Sequence, residues 1–161
     1  MGERSGAGVA LFLSTFVNKV DRKGRVSVPA PFRAALAGQG FAGVVVYPAI
    51  NFGALEGSGI DRVQELTARV DSLPEFSEER DAISSIFADM QQLPFDGEGR
   101  IQLPPELCDH AGITIEGGAA FVGHGSTFQI WEPMRFERHQ QERRSRARGV
   151  TLPPRPNGGA R

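Results

Sequence analysis

The sequence DRKGRVSVP occupies residues 21–29, and DGEGRIQLP occupies residues 96–104. Aspartate, glycine, arginine and proline coincide in the two stretches at a constant offset of 75 residues (96 − 21 = 75). With one residue inserted, FGALE at residues 52–56 then corresponds to FQIWE at residues 128–132. Self-similarity at a fixed spacing indicates that one structural unit is present twice. We interpret the chain as a tandem duplication.

Each copy begins with a short strand and a turn that its aspartate and glycine favour. A short apolar strand, at residues 16–20 and again at 92–95, leads into an Asp-x-x-Gly turn, in which aspartate accepts hydrogen bonds from turn amides and glycine tolerates a positive φ. The following strand alternates outward Arg25 and Ser27 with inward Val26 and Val28. We expect the two strands on either side of each turn to form a hairpin.

The rest of each copy predicts one short helix and two further strands. Proline follows the second strand and suits the first turn of a helix, and a glycine, Gly38 or Gly112, suits its end. The predicted helices cover residues 31–37 and 105–111, and the predicted strands cover residues 44–47, 54–56, 119–122 and 128–131. The fold class is therefore α+β and mainly β, with two ββαββ units. Because each unit buries little surface alone, we expect the two to pair into one intrachain pseudo-dimeric barrel.

Amphipathic helices are predicted outside the two copies. Apolar residues recur at helical spacing before Pro74, and Ser77 can cap a second helix that carries Ile83, Ile86, Phe87 and Met90 on one face. This face packs on its own chain or contacts another subunit. The expected division is a flexible extension at 1–11, a first domain at 12–57, a helical linker at 58–90, a second domain at 91–132, a basic helix at 133–148 and a disordered tail at 149–161.

Composition excludes several classes of function. The 161 residues include 18 Lys plus Arg against 19 Asp plus Glu, so any nucleic-acid site has to be local. A single cysteine, Cys108, forms no intrachain disulfide, and nothing resembles a signal peptide or a membrane span, which favours the cytoplasm. His110, His124 and His139 lack cysteine partners at zinc spacing, so we expect no metal and no cofactor.

The candidate site is the pair of turns. In a pseudo-dimer, Arg25 and Arg100 form a symmetric pair on one face, and Arg22 and Lys23 extend the basic edge. An arginine fork binds phosphate oxygens, or the O6 and N7 atoms of guanine, in bidentate fashion. The structural alternative is that each arginine pairs with the turn aspartate and only orders the turn.

The two turns differ in charge. The first, at residues 21–25, carries three positive charges and one negative, whereas the second, at residues 96–100, carries one positive and two negative. Because Glu98 repels phosphate, we expect the first copy to dominate DNA attraction. The arginines between residues 135 and 148 are either an additional phosphate-binding arm or a solvated helix face.

The doubled Asp-x-x-Gly-Arg-x-x-x-Pro motif, with a short helix and strand pair after each copy, resembles the MraZ family, which carries two SpoVT/AbrB-type domains. The resemblance covers roughly residues 12–140. It implies a swapped-hairpin pseudo-dimer, a ring of several chains, and repression of the division and cell-wall gene cluster, including the chain's own gene, through tandem promoter repeats near the nucleoid. The family's DNA-contacting residues correspond to Lys23, Arg25 and Arg100, and Arg22 is added on charge and position.

Two other classes of function remain as alternatives. The first alternative is an AbrB-like protein-interaction module such as an antitoxin, although the tail of the chain has few apolar residues for binding a partner. An enzyme would require a pocket with titratable groups, and the motif residues offer no convincing acid or base. We therefore expect double-stranded DNA and further copies of the chain as partners, and neither a membrane nor a small-molecule substrate.

Overall fold

The computed structural model of the chain describes residues 10–156. The first copy comprises β1 (Thr15–Lys19), β2 (Arg25–Ser27), α1 (Ala30–Ala35), β3 (Gly43–Pro48) and β4 (Leu55–Ser58). Two helices, α2 (Ile60–Asp71) and α3 (Glu78–Asp89), lead to the second copy, β5 (Gln91–Pro94), β6 (Arg100–Gln102), α4 (Pro105–Ala111), β7 (Gly118–Gly123) and β8 (Phe128–Trp131). Helix α5 (Pro133–Ala147) follows. The predicted α+β class is confirmed.

Helix ends follow the local chemistry of the sequence. Helix α4 ends where predicted, because Gly112 adopts the left-handed conformation at its C-cap with φ of 71°. Ser77 caps α3 as predicted, since its side chain accepts a hydrogen bond from the Arg80 amide. Helix α1 is shorter than expected and stops at Ala35, before Gly38, whose φ is 87°.

Strands of the two copies pair with each other in a pseudo-symmetric arrangement. The larger sheet is antiparallel in the order β1-β7-β8-β4-β3-β5, and β2 pairs with β6 in a two-stranded ribbon. Because the 75-residue offset matches β1 with β5, β3 with β7 and β4 with β8, the order reads equivalently from both edges. Each copy therefore contributes its first strand to the edge of the other copy, as the family resemblance implies.

One local prediction is wrong. The strands flanking each turn do not form a paired hairpin in the described residues, because β1 bonds to β7 and β2 to β6. The backbone groups of Val20, just before the first turn, bond to Glu116 and Gly117 of the second copy. The Asp21 amide donates to the Arg25 carbonyl at 2.8 Å, and the Asn18 side chain donates to the Ser27 carbonyl at 2.8 Å, but no backbone ladder joins β1 to β2.

One core joins the ribbon to the larger sheet. Val26 and Ile101 of the ribbon belong to the same buried cluster as Phe121 and Phe128 of the sheet. Phe32 of α1 is fully buried there, and its ring centroid lies 5.4 Å from that of Phe128. Burial of these aromatic and branched side chains from both copies stabilises the pseudo-dimer as one unit.

The opposite face of the larger sheet is covered by α5. Side chains alternate along a strand, so Ala120 and Trp131 point away from the core that Phe121 and Ile130 occupy. His139 of α5 packs on Trp131 with ring centroids 4.4 Å apart. Helix α5 therefore lies on the side of the sheet turned away from the ribbon.

Helices α2 and α3 cover the sheet loosely. Helix α3 has no buried residue, and Ile83, Ile86, Phe87 and Met90 are only half-buried. With Leu66 of α2 and residues of β3 and β4, these four side chains line a groove of about 180 Å³. They pack partly on their own chain and leave apolar surface accessible.

The ends of the chain are described in part. Residues 149–156 are exposed and follow α5 without helix or strand. The predicted flexibility of residues 1–9 and disorder of residues 157–161 fall outside the described residues. The domain boundaries stay a prediction.

Candidate nucleic-acid interface

The outer face of the β2–β6 ribbon is polar. Arg25 lies opposite Gln102, and Ser27 lies opposite Arg100, while the residues between them, Val26 and Ile101, face the core. Strand alternation thus places all four polar residues on one outward surface. The predicted juxtaposition of Arg25 with Arg100 is present on this surface.

The same hydrogen bonds build each turn. One carboxylate oxygen of Asp21, Oδ1, accepts from the amides of Lys23 and Arg25, both at 2.9 Å. Gly24 completes the turn with φ of 83°, a conformation that favours glycine. In the second copy, Asp96 Oδ1 accepts from the amides of Glu98 and Arg100, again at 2.9 Å, and φ of Gly99 is 78°.

Each arginine of the motif contacts its own aspartate. The Nε atom donates to Oδ2 at 2.8 Å in both Arg25–Asp21 and Arg100–Asp96. Hydrogen bonds from the backbone and side chain of the arginine lower the pKa of Asp21 and of Asp96, so both carboxylates stay ionised at neutral pH. Each arginine therefore pairs with its turn aspartate and orders the turn, and it does so through its Nε atom.

The remaining nitrogen atoms of the two arginines have different surroundings. Nη2 of Arg100 lies 3.3 Å from Glu98, and its Nη1 lies 4.0 Å from Asp21 of the first turn. Arg25 pairs with Asp21 alone among the residues described, and no hydrogen bond within that range uses its Nη atoms. The two Nη atoms of Arg25 are therefore available to bind a ligand, whereas the guanidinium of Arg100 lies among three carboxylates.

Arg22 and Lys23 stand at the tip of the first turn. Arg22 Nε pairs with Glu116 at 3.0 Å, and its side chain is 87% exposed. Lys23 is exposed and forms no ion pair with the described part of the chain. The first turn thus presents Lys23 as an unpaired cation and Arg22 as a weakly held one, since exposed pairs contribute little.

Sequence reasoning missed three residues of this surface. The side-chain amide of Gln102 donates to the Lys23 carbonyl at 3.0 Å and so links β6 to the first turn. Arg33 donates to the Val28 carbonyl at 2.7 Å, and a Cβ atom at Gly99 would lie 2.7 Å from its Nη1. Glu116 is the partner of Arg22. Only the pairing of strands across copies brings these residues to the turns, so no local signal identifies them.

Arg33 changes the charge of the second turn. The turn was expected to be acidic, but the guanidinium of Arg33 from the first copy packs against its glycine. The offset of 75 places Cys108 at the equivalent position of the second copy, where its thiol lies 3.9 Å from the Leu103 carbonyl. Arg33 therefore adds one positive charge to the second turn, and the first turn has no equivalent.

Other kinds of site are not indicated within residues 10–156. No helix in that range is both long and apolar enough to span a membrane. No group of three or more potential metal-ligating side chains occurs in the same range.

Known proteins similar to this chain are transcriptional regulators. A family model described as "MraZ protein, putative antitoxin-like" matches residues 86–150. A Pelagibacter ubique protein named "Transcriptional regulator MraZ" is 47% identical over 85% of this chain and 88% of its own length. Proteins of the same name from Rickettsia akari and Rickettsia rickettsii are 48% and 49% identical, each over 80% of this chain and 86% of their own length.

Proposed function

The chain belongs to the MraZ family and is a transcriptional regulator rather than an enzyme, and on this premise we propose that it binds double-stranded DNA through the β2–β6 ribbon. Arg25 and Lys23 of the first turn make the principal contacts. Arg22 adds a phosphate contact, and Arg100 contributes from the second copy. The ribbon is a two-stranded element of a size that the major groove admits.

The observation that supports this proposal most strongly is the hydrogen bonding of the Arg25 guanidinium. Its Nε is committed to Asp21 at 2.8 Å, which fixes the direction of the guanidinium while the Nη atoms remain available. The side chain is 32% exposed on the outer ribbon face. A positioned guanidinium forms bidentate hydrogen bonds at low entropic cost, so the ordering role and the DNA-binding role support each other.

In this proposal the first turn contributes more to DNA binding than the second turn. Any phosphate near Arg100 also approaches Glu98 and Asp96, which repel it. Arg33 offsets part of this repulsion and keeps the second turn close enough to neutral to lie beside DNA. Ser27 and Gln102, which lie opposite Arg100 and Arg25 on the same ribbon face, are suitably placed to contact base edges.

The chain forms a ring in this proposal, as its family resemblance implies. Ring closure needs two unlike surfaces that fit each other. The groove between α2, α3 and the sheet offers Ile86 and Phe87. The segment around edge strand β1, beside β7, offers Leu13 and Val17, which are 63% and 58% exposed. Packing of these surfaces between neighbouring subunits would present several first turns to tandem repeats.

Several subunits on repeated sites raise affinity without new contacts per subunit. The regulated DNA in this proposal is the promoter of the division and cell-wall gene cluster that includes the chain's own gene. The action there is repression, and the location is the cytoplasm, at the nucleoid.

A protein-interaction module is the second candidate, since the matching family model is described as antitoxin-like. The exposed residues 149–156 contain only Val150 and Leu152 as large apolar side chains, which leaves little surface for burial against a toxin. DNA binding therefore ranks first.

Fluorescence anisotropy tests the proposal. The wild-type chain is titrated with the duplex directly upstream of its own gene and with a shuffled duplex across a salt series. We expect tighter binding to the upstream duplex and a steep fall of affinity with salt, because released counterions contribute to phosphate binding. Equal and weak binding to both duplexes would favour the interaction module.

A further inference from the structure

Helix α5 ends in an arginine-rich extension that packs on nothing in the described chain. All residues from 141 to 148 are exposed, whereas Phe136 and His139, earlier in the helix, pack on Trp131. Arg143 lies one turn beyond His139 and so continues the face by which the helix is anchored, yet it is exposed. The helix therefore extends past the edge of the surface that holds it.

Positive charge on this extension is almost uncompensated. Four arginines, Arg143, Arg144, Arg146 and Arg148, lie within six residues, and the one ion pair formed there in residues 10–156 joins Arg146 to Glu142 at 3.9 Å. Cations near a helix C-terminus stabilise the helix dipole, which accounts for some positive charge in the last turn. It does not account for arginines on every side of an unpacked helix, where like charges repel.

The extension and the ribbon lie on different sides of the molecule. The ribbon packs against the core, and α5 packs on the opposite face of the larger sheet, over Ala120 and Trp131. A straight duplex that contacts Arg25 on the outer ribbon face is therefore separated from the packed part of α5 by the shared core and the larger sheet. A polyanion bound by the arginines of α5 is therefore a different segment from the one at the ribbon.

We propose that the α5 extension is a second DNA-binding surface, which contacts the phosphate backbone of a DNA segment other than the one at the ribbon, without reading its sequence. This inference rests on the proposed function, since a chain that works at promoters is surrounded by duplex DNA. Arginine side chains that point in several directions suit a backbone, because phosphates flank a groove on both sides. This surface holds the regulator near DNA, while the ribbon supplies the preference for one DNA sequence over another.

The test compares two fourfold variants at the same positions. One replaces Arg143, Arg144, Arg146 and Arg148 with glutamine, and the other replaces them with lysine, which keeps the charge. Anisotropy with the shuffled and the upstream duplex is measured across a salt series for both and for the wild type. Each phosphate contact contributes about 0.9 to the slope of log affinity against log salt concentration.

For the glutamine variant we expect the affinity for the shuffled duplex to fall and its salt slope to become shallower by about 3 to 4, measured while unlabelled upstream duplex occupies the ribbon sites. Binding of the upstream duplex at the ribbon should be unchanged, because the four arginines do not contact that segment. The lysine variant should retain the wild-type slope. An unchanged slope in the glutamine variant would overturn the inference. So would a dependence on the four arginines for binding to phosphatidylglycerol vesicles but not to duplexes.

Failure of this inference is distinguishable from failure of the proposed function. The preference for the upstream over the shuffled duplex reports on the ribbon, and the glutamine variant should retain it. Loss of that preference in the wild type contradicts the ribbon site, whatever the slope of the α5 variants. Circular dichroism and urea unfolding verify that the variants keep their fold.

Discussion

Replacement of Arg25 by alanine should abolish the preference of the chain for its upstream duplex. A bidentate arginine–guanine contact contributes about 1–3 kcal/mol of discrimination, which corresponds to about 5- to 150-fold in affinity for each engaged turn. Because several turns act together in the proposed ring, the measured loss should lie at the upper end or beyond. Anisotropy with both duplexes gives the ratio.

Two matched variants separate the roles of this arginine. Arg25→Lys keeps the charge but removes the fork and the Nε bond to Asp21, so non-specific binding should persist while the preference falls. Arg100→Ala, in the equivalent position of the second copy, should have the smaller effect, because that side chain is surrounded by carboxylates. If Arg25→Ala altered urea unfolding and left both duplex affinities unchanged, its role would be confined to ordering the turn.

Replacement of Ile86 by aspartate should prevent assembly of the proposed ring. Ile86 lies in the apolar groove of α2 and α3, where a charge from each subunit would lose its water on association. Light scattering after size exclusion should give the mass of one chain, and affinity for a duplex with several repeats should fall by about 100-fold or more, because multivalent binding is lost. Affinity for a single repeat should change little.

The control for this variant is Ser85→Asp, which places the same charge on the neighbouring, exposed position of α3. It should leave both mass and repeat affinity unchanged. A wild-type mass for Ile86→Asp would show that the groove is not an interface between subunits. A wild type that is itself a single chain in solution would contradict the ring.

Local chemistry made much of the fold predictable. The turns depend on an aspartate and a glycine three residues apart, and the structure has the expected positive φ at Gly24 and Gly99. The end of α4 depends on Gly112 in the same way. The internal repeat, visible without any structure, indicated that two units combine.

The pairing partners of the strands could not be predicted from local pattern. Strand β1 alternates exposed and half-buried residues whichever strand lies beside it, so its pairing with β7 rather than β2 depends on contacts about 100 residues away. Only the family resemblance anticipated this exchange. The alternation within the ribbon was predictable because it depends on strand geometry alone.

The placement of Arg25 and Arg100 on one face was predictable, but the electrostatics around them was not. Counting charges indicated that the second turn is more acidic than the first. It could not show that Asp21 reaches Arg100 across the ribbon, or that Arg33 packs against Gly99. These contacts exist because strands and helices of the two copies are interleaved, and they determine how available each arginine is.

The central claim is that DNA meets the first turn, and site-specific cross-linking tests it most directly. Lys23→Cys and Glu98→Cys place a thiol at equivalent positions of the two turns, and each thiol is then labelled with a photoactivatable benzophenone. The native thiol of Cys108 is buried, and burial raises its pKa, so the label goes to the new cysteine. The account predicts a cross-link to the upstream duplex from position 23 in clearly higher yield than from position 98, and a weaker one to the shuffled duplex. Equal yields from the two positions, or a higher yield from position 98, would contradict it.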